Sequence, residues 1–144
     1  MTDFHPPLAF LFALGSAVAA VLIAGCLGDG SASEDRIIRT IPPAEVSALM
    51  EEKGQGSGIV IIDVRRPDEF AAGHIRGAIN VDSVQFSERL ASLDLDGAYV
   101  IYCQRGGRSA GVRELMREAG FREVYEIEGG MSAWRTAGYP VVRG

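Results

Sequence analysis

A chain of 144 residues suits one domain and leaves little room for a second. Its hydrophobic content of 47% supports a real core, although the first 25 residues inflate that figure. With 14 basic against 19 acidic residues and no basic face in the pattern, the net charge of −5 argues against a nucleic-acid binder. The two cysteines, Cys26 and Cys103, form no recognised zinc-ligand spacing with His5 and His74, so no metal is expected.

Residues 8–25 carry no charge, as in a signal-peptide core or a minimal membrane span. They close on Ile23-Ala24-Gly25-Cys26, which resembles a bacterial lipobox. In such signals a peptidase cuts before the cysteine, and the cysteine carries the lipid. Residues 26–35 are polar and rich in Gly and Ser, the composition of a flexible tether. Two features oppose a lipoprotein. Residues 1–7 lack Lys and Arg, and Arg36 and Arg39 favour a cytoplasmic carboxyl side. The expectation is membrane attachment through the N-terminus. Lipidated Cys26 on the extracytoplasmic (periplasmic) side is the preferred form, and an uncleaved anchor is the alternative.

From residue 36 strand and helix patterns alternate. Ile37 to Ile41 is a β-rich run, and Pro42-Pro43 opens a helix with Val46, Leu49 and Met50 as its apolar stripe. Gly58 to Val64 reads as a central strand buried on both faces. Pro67 to Phe70 is a helical turn, and Ala78 to Val81 a second strand candidate. Ser83 is placed as the cap of a helix to about Leu93, with Val84, Leu90 and Leu93 inward. Ala98 to Tyr102 is an apolar strand ending at Cys103. A helix over residues 109–119 follows, with Val112, Leu115, Met116 and Ala119 on its inner face. Val124 to Ile127 and Met131 to Thr136 supply a last strand and helix. The expected fold class is α/β, a small and mostly parallel sheet flanked by helices across residues 36–144.

The chemistry concentrates in Cys103-Gln104-Arg105-Gly106-Gly107-Arg108-Ser109, between a buried strand and an amphipathic helix. Ligands of open parallel sheets bind beyond the carboxyl ends of the strands. Gly106 and Gly107 let the backbone curl so that successive N–H groups converge on an anion. The following helix adds its positive end, and Arg105 and Arg108 add full charge at the rim. Together these favour a thiolate at Cys103 and make it the candidate nucleophile. Asp63 is read as satisfying nearby backbone N–H groups, and Arg65 and Glu69 as an ion pair. His74 is assigned a structural hydrogen bond, and Trp134, with Phe121 and Tyr125, core packing.

Three stretches resemble the rhodanese family of sulfurtransferases. Ile61 to Arg65 with Glu69-Phe70 and Gly73 to Asn80 is similar to its first signature, Cys103 to Ser109 to its active-site loop, and Glu128 to Trp134 to its closing signature. The resemblance implies that Cys103 becomes a persulfide and passes its outer sulfur to a thiophilic acceptor, a thiol, cyanide or a protein sulfur acceptor. It implies no organic cofactor. Four residues separate Cys103 from Arg108, whereas the related dual-specificity phosphatases carry one more. A shorter ring of N–H groups fits a sulfur atom, and a phosphate group needs a wider cradle. Cationic Arg105 favours an anionic donor such as thiosulfate. The rival readings are a phosphatase or arsenate reductase using the same loop, and a non-catalytic sulfur-relay or binding module.

Overall fold

The computed structural model describes residues 36–53 and 58–144. The proposed signal or anchor at residues 1–25, Cys26 and the tether therefore lie outside the described residues. Among the described residues, no helix is long and apolar enough to cross a membrane.

In chain order the elements are β1 (Ile37–Ile41), α1 (Pro43–Lys53), β2 (Ile59–Asp63), α2 (Pro67–Ala72), β3 (Ile79–Asn80), α3 (Phe86–Arg89), β4 (Ala98–Tyr102), α4 (Gly107–Ala119), β5 (Glu123–Ile127) and α5 (Gly130–Thr136). A single 3-10 turn, Leu90–Ser92, extends α3. The strands form one five-stranded sheet in the order β1-β5-β4-β2-β3, every pair parallel. Parallel pairing forces helical crossovers, and those helices cover both faces. Central strand β4 is consequently buried at all five positions.

Period-2 alternation along β4 divides the core. Tyr99, Ile101 and Cys103 face one way, joining Ile62, Val64, Phe86, Val112, Met116 and Phe121. Val100 and Tyr102 face the other way, with Val46, Ile61, Tyr125, Ile127, Met131 and Trp134. Trp134 and Tyr125 thus pack together, while Phe121 lies across the sheet from them, a division that sequence grouping did not resolve. Trp134 lies against Tyr139 and donates its indole N–H to the Pro140 carbonyl at 3.0 Å.

Two helix expectations are corrected. The segment after β3 does not become helical at Ser83, because the Asp82 carboxylate accepts the Val84 N–H at 3.0 Å and turns the chain. Val84 is then 85% exposed, and Phe86 is the residue that enters the core. In α4 the inner face is Ser109, Val112 and Met116, narrower than expected, with Leu115 and Ala119 on the solvent side. That helix also starts earlier, at Gly107, because Gly106 takes φ 102°, a left-handed conformation that only glycine adopts freely.

Candidate active site

All five strands point the same way, so their carboxyl ends share one edge. Cys103 leaves the middle of that edge, with the ends of β2 and β5 on either side. Backbone bonds tie the three ends together. Val64 N donates to Tyr102 O at 2.9 Å, Met131 N to Cys103 O at 2.8 Å, and Ser132 N to Gln104 O at 3.0 Å. The last two come from the first turn of α5, whose closeness to the loop leaves no room for a side chain at Gly130. A Cβ on Gly130 would collide with the Cys103 carbonyl oxygen.

Cys103 is 1% exposed. Its Sγ accepts the Gly106 N–H at 3.1 Å and lies 3.4 Å from Ser109 Oγ. Burial pushes the thiol up, but the Ser109 hydroxyl and the backbone N–H groups of Ser109, Arg105 and Gly106 push it down. The donors win, and the thiol is held below its ordinary value. Curled backbone and helix start thus act on a sulfur atom lying within the loop's own hydrogen-bonding distance.

The flanking side chains sort into three groups. Gln104 takes no part in the ring through its side chain, which is held between Arg65 Nη1 at 3.1 Å and Ser132 Oγ at 2.9 Å. Arg105 is exposed at the rim and makes no ion pair among the described residues. Arg108, expected beside it as a free rim charge, instead reaches Glu69 in a two-pronged pair of 2.7 and 2.9 Å. That contact, foremost, holds the Glu69 carboxyl down at about 2.

The Arg65–Glu69 pair expected from their spacing is therefore not formed. Arg65 turns back on Asp63, with Nη2 to Oδ2 at 2.6 Å and Nε to Oδ1 at 3.0 Å, and its own backbone N–H donates to Oδ1 at 2.9 Å. Both residues are buried, and Arg65 Nη2 also donates to Gly73 O at 2.7 Å. Desolvated charges this close find enough partners only in each other and the surrounding carbonyls. Asn80 Nδ2 donates to the carbonyls of Asp63 and Arg65, fixing the bend that follows β2. His74 stacks on Phe70 and shares a 3.0 Å hydrogen bond with the Phe70 carbonyl.

One residue of the site was not singled out by sequence reasoning. Glu126, on β5, is buried and accepts the Ser109 hydroxyl at 2.6 Å. An acidic residue inside an otherwise apolar strand, VYEI, was the available signal. Among the described residues no cluster of His, Cys, Asp and Glu could hold a metal ion.

A buried cysteine at the end of a central parallel strand, ringed by backbone N–H groups at a helix start, defines a protein built to stabilise an anionic sulfur. Residues 42–137 match the model of the rhodanese-like domain, and the chain belongs to that family. It is 36% identical over 102 residues to the thiosulfate sulfurtransferase GlpE of Pseudomonas fluorescens strain SBW25, covering 71% of this chain and 88% of that protein. With GlpE of Pseudomonas aeruginosa PAO1 it shares 34% identity over 100 residues, 69% of this chain and 86% of that one. The crystal structure of a rhodanese-related protein from Thermoplasma volcanium superposes with a TM-score of 0.64 at 31% identity, over 72% of this chain and 97% of that one.

Proposed function

We propose that the protein is a thiosulfate sulfurtransferase that carries sulfane sulfur on Cys103. The observation that carries this reading is the set of donors on Cys103 Sγ, the Gly106 N–H at 3.1 Å and Ser109 Oγ at 3.4 Å among them. The Cys103 thiolate attacks the outer sulfur of thiosulfate. A sulfur–sulfur bond forms to Cys103, the bond inside thiosulfate breaks, and sulfite leaves with the electron pair. The outer sulfur of the persulfide is then an anion at the mouth of the loop, facing the N–H groups that had served the thiolate. Cyanide or a thiolate attacks that sulfur and returns Cys103 as thiolate, so the cycle needs no added reductant. Proteins that accept sulfur fit the same chemistry.

Arg105 is the exposed cation that draws in an anionic donor, whereas Arg108 contributes a charge already shared with Glu69. The Gln104 to Ser109 segment supplies backbone donors, and its side chains mainly set the shape of the loop. The membrane attachment expected from residues 8–26, with lipid on Cys26 and the domain outside the cytoplasm, is part of the same proposal.

The decisive experiment is Cys103→Ser assayed for sulfur transfer from thiosulfate to cyanide. Turnover is expected to vanish while circular dichroism stays unchanged, because a hydroxyl holds no transferable sulfur. Substantial residual turnover would remove Cys103 as the carrier. An aryl phosphate offered beside thiosulfate is expected to be left intact, which separates the reading from a phosphatase.

A further inference from the structure

The Ser109 hydroxyl has one hydrogen and three acceptors. Glu126 Oε1 lies at 2.6 Å, Gly106 O at 3.1 Å and Cys103 Sγ at 3.4 Å. A contact of 2.6 Å to a carboxylate is the length of a charge-assisted bond, roughly twice as strong as a neutral one. One hydrogen cannot serve both at once, so Glu126 at 2.6 Å competes with the sulfur at 3.4 Å for it, and the shorter contact is favoured. The pull of Ser109 on the thiol is thus weaker than it would be without Glu126.

We propose that Glu126 is a positioning residue that holds the Ser109 hydroxyl away from Cys103 and so limits how far the loop favours the thiolate over the thiol. The inference rests on the reading of Cys103 as the sulfur carrier and adds a control on its charge. Its value to the chemistry follows from a compromise. A thiolate that is too well stabilised is a poorer nucleophile, because reactivity toward sulfur falls as basicity falls. The Ser109 hydroxyl and the backbone donors push Cys103 in that direction. A buried carboxylate, linked through one hydroxyl, pushes back.

The surroundings of both groups fit this role. On the far side of Glu126, Arg113 of α4 reaches Oε2 at 2.8 Å and Thr40 of β1 donates to it at 3.0 Å. These contacts fix the carboxylate and leave Oε1 for Ser109. The charged groups near Cys103 come in pairs, Asp63 with Arg65 from the end of β2 and Glu69 with Arg108 from α2 and α4. Arg105 stands exposed, and Tyr102 turns to the opposite face, where its hydroxyl accepts the Ile75 N–H. Glu126 thus competes with Cys103 for the one hydroxyl hydrogen of Ser109.

The test is the pH dependence of alkylation of Cys103 by iodoacetamide in the full chain, read by peptide mass so that Cys26 does not contribute. In Glu126→Gln the profile is expected to move to lower pH, with alkylation near pH 6 faster by roughly three- to tenfold relative to the alkaline plateau, and the plateau itself lower. A merely structural role gives the opposite sign, because a loosened loop loses backbone donors and moves the profile to higher pH. In a Ser109→Ala background the same Gln substitution is expected to move the profile much less. An unmoved or upward profile in Glu126→Gln overturns the proposal, and so does an equal shift with and without Ser109. If Glu126→Gln does not fold, Glu126→Asp keeps the charge but withdraws it from Ser109, and a smaller shift to lower pH is expected; an upward shift overturns the proposal. The readout needs no sulfur donor. Failure of the wild-type protein to use thiosulfate, together with the expected shift in Glu126→Gln, would sink the sulfurtransferase reading alone.

Discussion

At Cys103 two opposing forces act on one atom, burial against the thiolate and a ring of donors for it. Arg105 lies outside this balance, exposed at the rim, and its effect is expected on binding. A charge that attracts the donor in both ground and transition state contributes uniform binding. Arg105→Ala is therefore expected to raise KM for thiosulfate by about three- to tenfold with kcat nearly unchanged, the range of one exposed charge interaction. Steady-state kinetics over a range of thiosulfate concentrations checks it. A fall in kcat at constant KM would place Arg105 in the chemical step instead. Added salt should mimic the substitution in the wild-type protein by screening the same charge.

Between elements, two clamps hold the loop. The first is the start of α5, where Gly130 at φ 58° lets Met131 and Ser132 reach the carbonyls of Cys103 and Gln104. Gly130→Ala combines a left-handed strain of about 1–2 kcal/mol with a collision against the loop backbone. A loss of at least about 2 kcal/mol in urea unfolding, with sulfur transfer strongly reduced, is the expected outcome. The second clamp is Arg108 of α4 on Glu69 of α2. The Glu69 carboxyl is held at about 2 against 4.5 unfolded, first by the Arg108 hydrogen bonds. Since the folded value is the lower one, the clamp's contribution is fully present above about pH 4.5 and is lost as pH falls toward 2. Glu69→Gln is expected to be less stable than wild type by about 1 kcal/mol near neutrality, solvent screening included. The gap should close as unfolding is followed down to about pH 2, and a gap independent of pH would show that the carboxylate charge plays no part.

For the whole molecule, the alternation of apolar runs and helix signals made the parallel α/β layers legible, and Cys103 could be placed at a strand end from Tyr102 backwards. What the linear pattern did not carry was pairing across the loop edge. Arg65 and Glu69 sit four apart, yet each finds its partner elsewhere, because burial beside Asp63 and a facing Arg108 outweigh a local spacing. Glu126 was passed over for the same reason, since its partners, Ser109, Arg113 and Thr40, are remote in sequence. The remaining expectation concerns residues outside the described part of the chain. We propose that Cys26 is the lipidated first residue of the mature protein. An uncharged run closes on Ile23-Ala24-Gly25-Cys26, and a polar tether starts directly after it. A plain anchor requires neither the cysteine nor the small residues before it. The absence of Lys and Arg from residues 1–7, and the presence of Arg36 and Arg39, weigh the other way. Intact mass of protein purified from membranes decides between them. A lipoprotein lacks residues 1–25 and gains acyl mass at Cys26, and Cys26→Ser stops its processing. Membrane-bound protein that keeps residues 1–25 with Cys26 unmodified would refute lipidation. The same spectrum reports a mass increment of one sulfur on Cys103 after thiosulfate, so the tether and the chemistry are read in one measurement.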